Sequence, residues 1–381
     1  MIGDGLQAIA PTGVMFVFAI LFFGILLDAG TFQPIIDRLL KTAGNDPIKI
    51  ALATAVLAML VHLDGSGAVT FLVVIPALAP IYDQLGMKRI TLACIVALSA
   101  GTMNMLPWGG PTIRAATALN VPVTELFNPM VIPLLTGLAT VFVIAFFLGK
   151  SEKTRLGIHI ESSFYTETAA SNPLHRPKLF WINILLILIA ITSIILSLAL
   201  PYVVFMVAFA LALLINFPKV EEQKKRIDAH AKEAMLMASI LFAAGCFTGI
   251  LKGSGMMEAM AGTVQTLLPE QLGRQLPLLT GLIAMPASLL FDPDSFYFGI
   301  LPLLSTTATT FGASSLEVGQ AAILGQMTTG FPISPLTGST FLLVGLAGVE
   351  LGDHQKKTIP LAFLVTLVML LVSVLLGIIS I

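Results

Sequence analysis

Charge is scarce in this chain: Asp, Glu, Lys and Arg make up 11% of its 381 residues, less than half the roughly 25% of an ordinary globular protein. With 56% of the residues hydrophobic, a water-soluble fold is excluded and an integral membrane protein is implied. Long apolar helices satisfy their own backbone groups inside a bilayer. The formal net charge of −1 leaves no basic face to neutralise phosphates, so nucleic acid is excluded as a partner. Cysteine is nearly absent, and Cys94 and Cys246 stand far apart within apolar runs. No CxxC pair or Cys/His spacing points to zinc, so both read as small buried apolar side chains. GxSxG with Asp and His downstream, HExxH and the Walker A loop are also missing. The chain therefore carries no enzyme signature, and any pumping draws on an ion gradient. The opening MIGDGLQAIAPTG lacks a basic start and a cleavage site, so the first apolar run is a retained membrane helix.

What is present is a series of apolar runs, and a span needs about 20 such residues. Full-length candidates are 12–29, 88–106, 130–149, 179–199, 201–217, 234–252 and 359–381, with a less regular one over 316–348. Residues 48–82 and 276–311 differ: each is a pair of short or broken apolar segments joined by polar residues and Gly or Pro. Such a pair enters and leaves the membrane on one side as a re-entrant hairpin whose polar tip is covered by protein or water. The fold class expected is an all-α polytopic membrane protein. Lys and Arg set its orientation: the loops 150–178 and 218–233 carry a basic excess and are placed in the cytoplasm. Lys88, Arg89, Lys356 and Lys357 join that side only if both pairs are hairpins.

Self-comparison reveals a duplication. Near a displacement of 225 residues, GILLDAG (24–30) faces GILKGSG (249–255), Pro107 faces Pro332, Pro76 faces Pro302, and IPLL at 132 faces IPLA at 359. The topology gives the two copies opposite orientation, the inverted-repeat plan of secondary transporters. Repeat one is 1–149, with hairpin 48–82 and broken helix 88–118. Residues 150–178 are a cytoplasmic linker. Repeat two is 179–381, with hairpin 276–311 and broken helix 316–348. Two spans precede GILKGSG and only one precedes GILLDAG, so the first copy is expected to lack two helices before Met1.

The duplication pairs four polar breaks: HLDGSGAVT (62–70) and GTMNMLPWGGPT (101–112) with FDPDSF (291–296) and TTGFPISPLTGST (328–340). Inverted symmetry is expected to gather them near the midplane, where helix N-termini attract an anion and freed carbonyls and carboxylates hold cations. Asp64, Asp292 and Asp294 lie between apolar segments, where an ionised carboxylate costs roughly 2.5–3.5 kcal/mol on insertion scales. They are candidates for cation or proton coupling and for the side of a divalent metal, the alternative being helix caps at a wet tip. Arg114, always charged and able to bind a carboxylate in two places, is the candidate anion holder; its alternative is snorkelling to the interface. His62 is a candidate proton shuttle or a structural donor. Ser66, Asn104, Thr112, Ser295, Ser334, Thr337 and Ser339 are candidate substrate ligands, and Gly65, Gly67, Gly109 and Gly110 permit close backbone approach.

The strings HLDGSGAVTFLVVIPALAPIYDQLGM, NMLPWGGPTIRAA, FDPDSFYFGILPLL, GFPISPLT and FLLVGLAGVELGDHQK resemble the citrate–divalent metal:proton symporter family (CitMHS). This family lies within the ion transporter superfamily that includes sodium:dicarboxylate carriers. The resemblance covers nearly the whole chain and implies proton-driven uptake of citrate complexed with Mg²⁺ or Ca²⁺, with no permanent cofactor. It also implies a hairpin-bearing transport domain that moves against a scaffold, a homodimer, and a bacterial inner membrane. A citrate trianion with one dication is a monoanion, which suits Arg114 and the helix N-termini, with a proton carried by Asp64, Asp292 or Asp294. The competing readings are sodium coupling or another di- or tricarboxylate, a passive anion channel, and an intramembrane enzyme using His62 and the aspartates.

Overall fold

The computed structural model describes residues 2–157, 173–267 and 269–380; part of the expected linker, 158–172, lies outside the described residues. The chain opens on α1 (Ile2–Asp28) and the amphipathic α2 (Gln33–Ala43). Next, α3 (Pro47–Val61), a 3₁₀ turn (His62–Asp64) and α4 (Gly67–Gln84) form a first hairpin. A first broken helix follows, with arms α5 (Arg89–Met103) and α6 (Gly110–Leu119), then the short α7 (Val123–Phe127) and the long α8 (Val131–Leu156). Beyond the linker come α9 (Phe180–Ile195), α10 (Pro201–Asn216), α11 (Val220–Gly253), α12 (Met256–Leu267) and α13 (Glu270–Arg274). The second hairpin joins α14 (Leu276–Ala287) through a π-helical turn (Ser295–Ile300) to α15 (Leu301–Thr310). The second broken helix has arms α16 (Ser315–Ile323) and α17 (Gly338–Ala347), and α18 (Leu351–Leu375) ends the fold. Among the described residues there is no strand, and seven helical segments are long and apolar enough to cross a membrane.

Several boundaries differ from the sequence expectation. The first span starts near Ile2 and not at 12, because Pro11 does not stop α1. Residues 220–233, expected as loop, are the first turns of α11. Glu221 and Glu222 sit there at the positive end of the helix dipole, and Arg226 and His230, one turn apart, reach Asp28 of α1 at 3.1 and 3.0 Å. In the first hairpin, residues 47–64 and 67–84 are each long enough to cross, whereas α14 and α15, at 12 and 10 residues, are not. Pro76 and Pro80 remain inside α4, both on its exposed side.

Helix α5 lies at the centre, buried at every residue from Thr91 to Met103. It packs against α3, α4, α8, α17 and α18. The pairings repeat in the second half: α3 packs on α5 and α8, and α14 packs on α16 and α18. Helices α1 and α11 run antiparallel, with Gly5 against Gly245, Gly13 against the Phe242 ring and Gly24 against the His230 ring. At one end of the core, the buried Glu152 of α8 accepts from the Thr91 hydroxyl at 2.8 Å and from Arg155, and Lys357 of α18 donates to the same hydroxyl at 2.9 Å.

Helices α9 and α10 present apolar side chains outward, Trp181 among them at 77% exposure, as a lipid-facing surface does. Between them is a fully buried amide pair: Asn183 and Asn216 exchange two hydrogen bonds of 2.9 Å, and Asn183 also donates to Thr31 at 3.0 Å. Polar groups between membrane helices act as glue. Replacing Asn216 with Leu is expected to cost about 0.6–1.7 kcal/mol. The measurement is a lowered melting temperature in detergent, and an unchanged one would mean that the pair contributes nothing.

Candidate functional site

Each broken helix stops for a local reason. At the first break, Asn104 ends α5 and Gly109 turns the chain into α6; a Cβ at Gly109 would lie 1.8 Å from the Asn104 carbonyl oxygen, so only glycine fits. Pro111 then starts α6 at a position where its missing N–H costs nothing. In the second break, residues 324–337 run between α16 and α17 without regular helix. The two breaks cross closely because Gly101 and Gly110 have no side chain: a Cβ would meet the Thr328 carbonyl at 2.8 Å and the Met327 side chain at 2.8 Å respectively. Asn104 Nδ2 donates to the Met327 carbonyl at 2.7 Å across this crossing.

Both hairpin tips rest on this crossing. The first turns at Gly65, whose φ of +76° favours glycine. Trp108 of the first break donates to the Leu63 carbonyl at 2.8 Å, and Gly67 lies against the Phe331 ring of the second break and the Ser339 hydroxyl in the first turn of α17. At the second tip, Ser288 hydrogen-bonds Gln326, Ser334 donates to the Ser288 carbonyl, and Tyr297 donates to the Gln326 carbonyl at 2.7 Å. The first break also reaches this tip: Arg114 Nε donates to Asp294 Oδ1 at 2.7 Å. The Arg114 side chain is 5% exposed and that of Asp294 is 44% exposed.

The three aspartates have different surroundings. Asp64 Oδ1 accepts from the Ser66 N–H at 2.8 Å, and Asp292 Oδ1 accepts from the N–H groups of Asp294 and Ser295 at 3.0 and 3.1 Å. Both carboxylates thus cap the turn into a hairpin's second arm, and Ser295 adds its hydroxyl to Asp292. Asp294 is paired with a cation across the fold. Among the described residues, no three His, Cys, Asp or Glu side chains come together as a metal-ligating group. Asp64, Asp292 and Asp294 therefore do not form a shared cluster.

The predicted polar residues divide in the same way. Asn104, 3% exposed, is taken up by Met327 and by His62, whose Nε2 lies 3.3 Å from Asn104 Oδ1. Thr112 donates to the Met105 carbonyl, Ser66 caps α4, and Thr337 donates to the Phe331 carbonyl. The fully buried His62 also has Nδ1 2.9 Å from the Thr70 hydroxyl, which itself reaches the Ser66 carbonyl at 2.8 Å. A neutral ring fits with Thr70 donating to Nδ1. A protonated ring finds the same partners with the hydroxyl turned to Ser66, so no heavy atom has to move, but burying its charge costs free energy that the neutral ring avoids.

Beside the second tip is a narrow crevice, too tight to admit a water molecule, lined by Ser288, Phe291, Pro293, Gln326, Met327, Phe331, Ser334 and Thr337. Ser334 and Thr337 are expected from sequence; Ser288, Gln326 and Phe331 are not. Ser288 closes an apolar helix and Gln326 follows one, and neither position carries a sequence signal beyond its polarity.

Comparison with known proteins adds the family. Residues 6–330 match the family described as Citrate transporter (CitMHS). The chain is 45% identical over 380 residues to the citrate transporter of Bacillus subtilis (strain 168), covering 100% of this chain and 89% of that one. It is 41% identical to the Mg²⁺/citrate complex secondary transporter of the same organism, covering 100% of this chain and 88% of the relative. Its fold resembles that of the Alcanivorax borkumensis YdaH transporter, with a TM-score of 0.63 at 15% identity over 99% of this chain and 86% of that one. Neisseria gonorrhoeae MtrF has a TM-score of 0.56 at 13% identity over 96% and 81%. With family likeness over most of its length and several helices able to cross a bilayer, the chain belongs to the citrate transporter family, multi-pass membrane transporters and not enzymes.

Proposed function

We propose that this protein is a proton-coupled symporter that takes up citrate complexed with a divalent metal ion across a bacterial inner membrane. The observation that carries the proposal is the ion pair of Arg114 with Asp294. Arg114 is almost wholly buried, cannot lose its proton, and in that setting needs an anion. Asp294, much more exposed, occupies the place that a substrate carboxylate takes. Protonation of Asp294 removes its charge and frees the guanidinium, so a proton and an organic anion enter the site together. A citrate trianion with one dication is a monoanion, matched by one arginine. The metal arrives as part of the substrate.

The crevice as it stands is too narrow for citrate; once widened, it offers Ser288, Gln326, Ser334 and Thr337 as further polar contacts. We also read 1–149 and 179–381 as inverted repeats, a reading supported by the antiparallel α1 and α11 and by the matching packing of α3 and α14. The test is uptake of labelled citrate into proteoliposomes under an inward proton gradient. Uptake should require Mg²⁺ or a similar dication and should collapse with a chelator or an uncoupler. Uptake indifferent to chelation would remove the metal complex from the proposal, and uptake driven by Na⁺ alone would remove the proton.

A further inference from the structure

The GDHQK string at the start of α18 has no part in the ion pair or the crevice. His354 is nonetheless fully buried, with Nε2 2.9 Å from the Pro332 carbonyl oxygen, and Gln355 Nε2 donates to the Ile333 carbonyl at 2.9 Å. Two consecutive residues of one helix thus hold two consecutive carbonyls of the second break. A carbonyl only accepts, so the imidazole proton is on Nε2; Nδ1 then takes the hydroxyl proton of Thr358, 3.3 Å away. Among the described residues, no side chain of α8, the helix that follows the first break, makes a hydrogen bond to that break. The latch belongs to one half of the molecule.

The residues flanking the two latched carbonyls touch opposite hairpin tips. Phe331 packs on Gly67 and lies 6.0 Å from the His62 ring, while Ser334 donates to the Ser288 carbonyl. We propose that His354 and Gln355 are positioning residues that set substrate affinity, by fixing segment 331–334 and with it the spacing of the two tips around the crevice. The effect on affinity rests on the transport reading above. The effect on the segment does not.

The test uses the full chain with Ser334→Cys as its only thiol, Cys94 and Cys246 being replaced by Ala. Ser334 is 1% exposed, so its cysteine should react slowly with a maleimide. Losing one buried donor should leave a carbonyl unsatisfied and raise the alkylation rate about tenfold in His354→Leu and Gln355→Leu, whereas His354→Gln keeps an N–H and should stay within about twofold of the parent. A rate unchanged in both Leu variants, or raised as much by His354→Gln as by His354→Leu, overturns the proposal; the half-buried Gln355 serves if His354→Leu does not fold. The dissociation constant for Mg²⁺–citrate, measured in the same His354 and Gln355 variants of the chain with Ser334 intact, should follow the same order. If the unsubstituted chain binds no citrate, the transport reading falls while the alkylation rates still decide the latch.

Discussion

Arg114→Gln should abolish high-affinity citrate binding and leave the protein folded. Truncating one partner of a buried charged pair costs about 2–5 kcal/mol, roughly 30-fold to several thousand-fold in affinity. Folding should suffer much less, because the partner left behind, Asp294, is 44% exposed and returns to water. Glutamine also keeps a donor near the Gly110 carbonyl, which Arg114 Nη1 reaches at 3.4 Å. The measurement is calorimetric binding of Mg²⁺–citrate beside a detergent melting curve. Affinity close to the parent's would take Arg114 out of the site.

Asp294→Asn should have the opposite profile. The charge left without its partner is now Arg114, 5% exposed, and an uncompensated buried charge is strongly destabilising, by about 3–5 kcal/mol when both partners are buried. Asp294 is half in solvent, so the lower end is expected. The ligand-free protein should melt earlier, and citrate should raise its melting temperature by more than it raises the parent's, since only the variant has a vacant guanidinium to satisfy. Uptake should also lose its stimulation by an inward proton gradient, the rate ratio with and without the gradient falling toward one. Stimulation retained at the parental level would mean that the coupling proton is carried elsewhere, with His62 and its dual-state network the next candidate.

Much of this arrangement is legible in the sequence because backbone breaks have strong local causes. Pro107, Pro111, Pro332 and Pro335, clustered with Gly109 and Gly110, disfavour helix far more than the isolated prolines of α1 and α4, and the matched spacing of Pro107 and Pro332 pairs the breaks before any coordinates are known. Arg114 and Asp294 are visible as charges in apolar surroundings. Their pairing, 180 residues apart, is not, because nothing local records which helix lies opposite. Ser288, Gln326, His354 and Gln355 escape for another reason: a side chain that hydrogen-bonds a distant carbonyl leaves no periodic trace. The charged start of α11 misleads in the opposite direction, since a basic polar stretch outside the apolar core reads as loop until Asp28 supplies the partner for Arg226 and His230.

The second break looks like a natural hinge, being a long stretch without helix at the middle of a membrane protein. Its carbonyls argue against that. Those of Gln326, Met327, Phe331, Pro332 and Ile333 each accept from a side chain, supplied by Tyr297, Asn104, Thr337, His354 and Gln355 respectively. Backbone pinned at so many points bends no more readily than helix. Exposure of the site to the other side of the membrane is therefore expected to move both breaks and both tips together, along the surface where α1, α2, α11 and α12 meet them and their hairpin arms. Cross-links among the breaks and tips should leave transport intact, and one cross-link from α1 to α6 should arrest it.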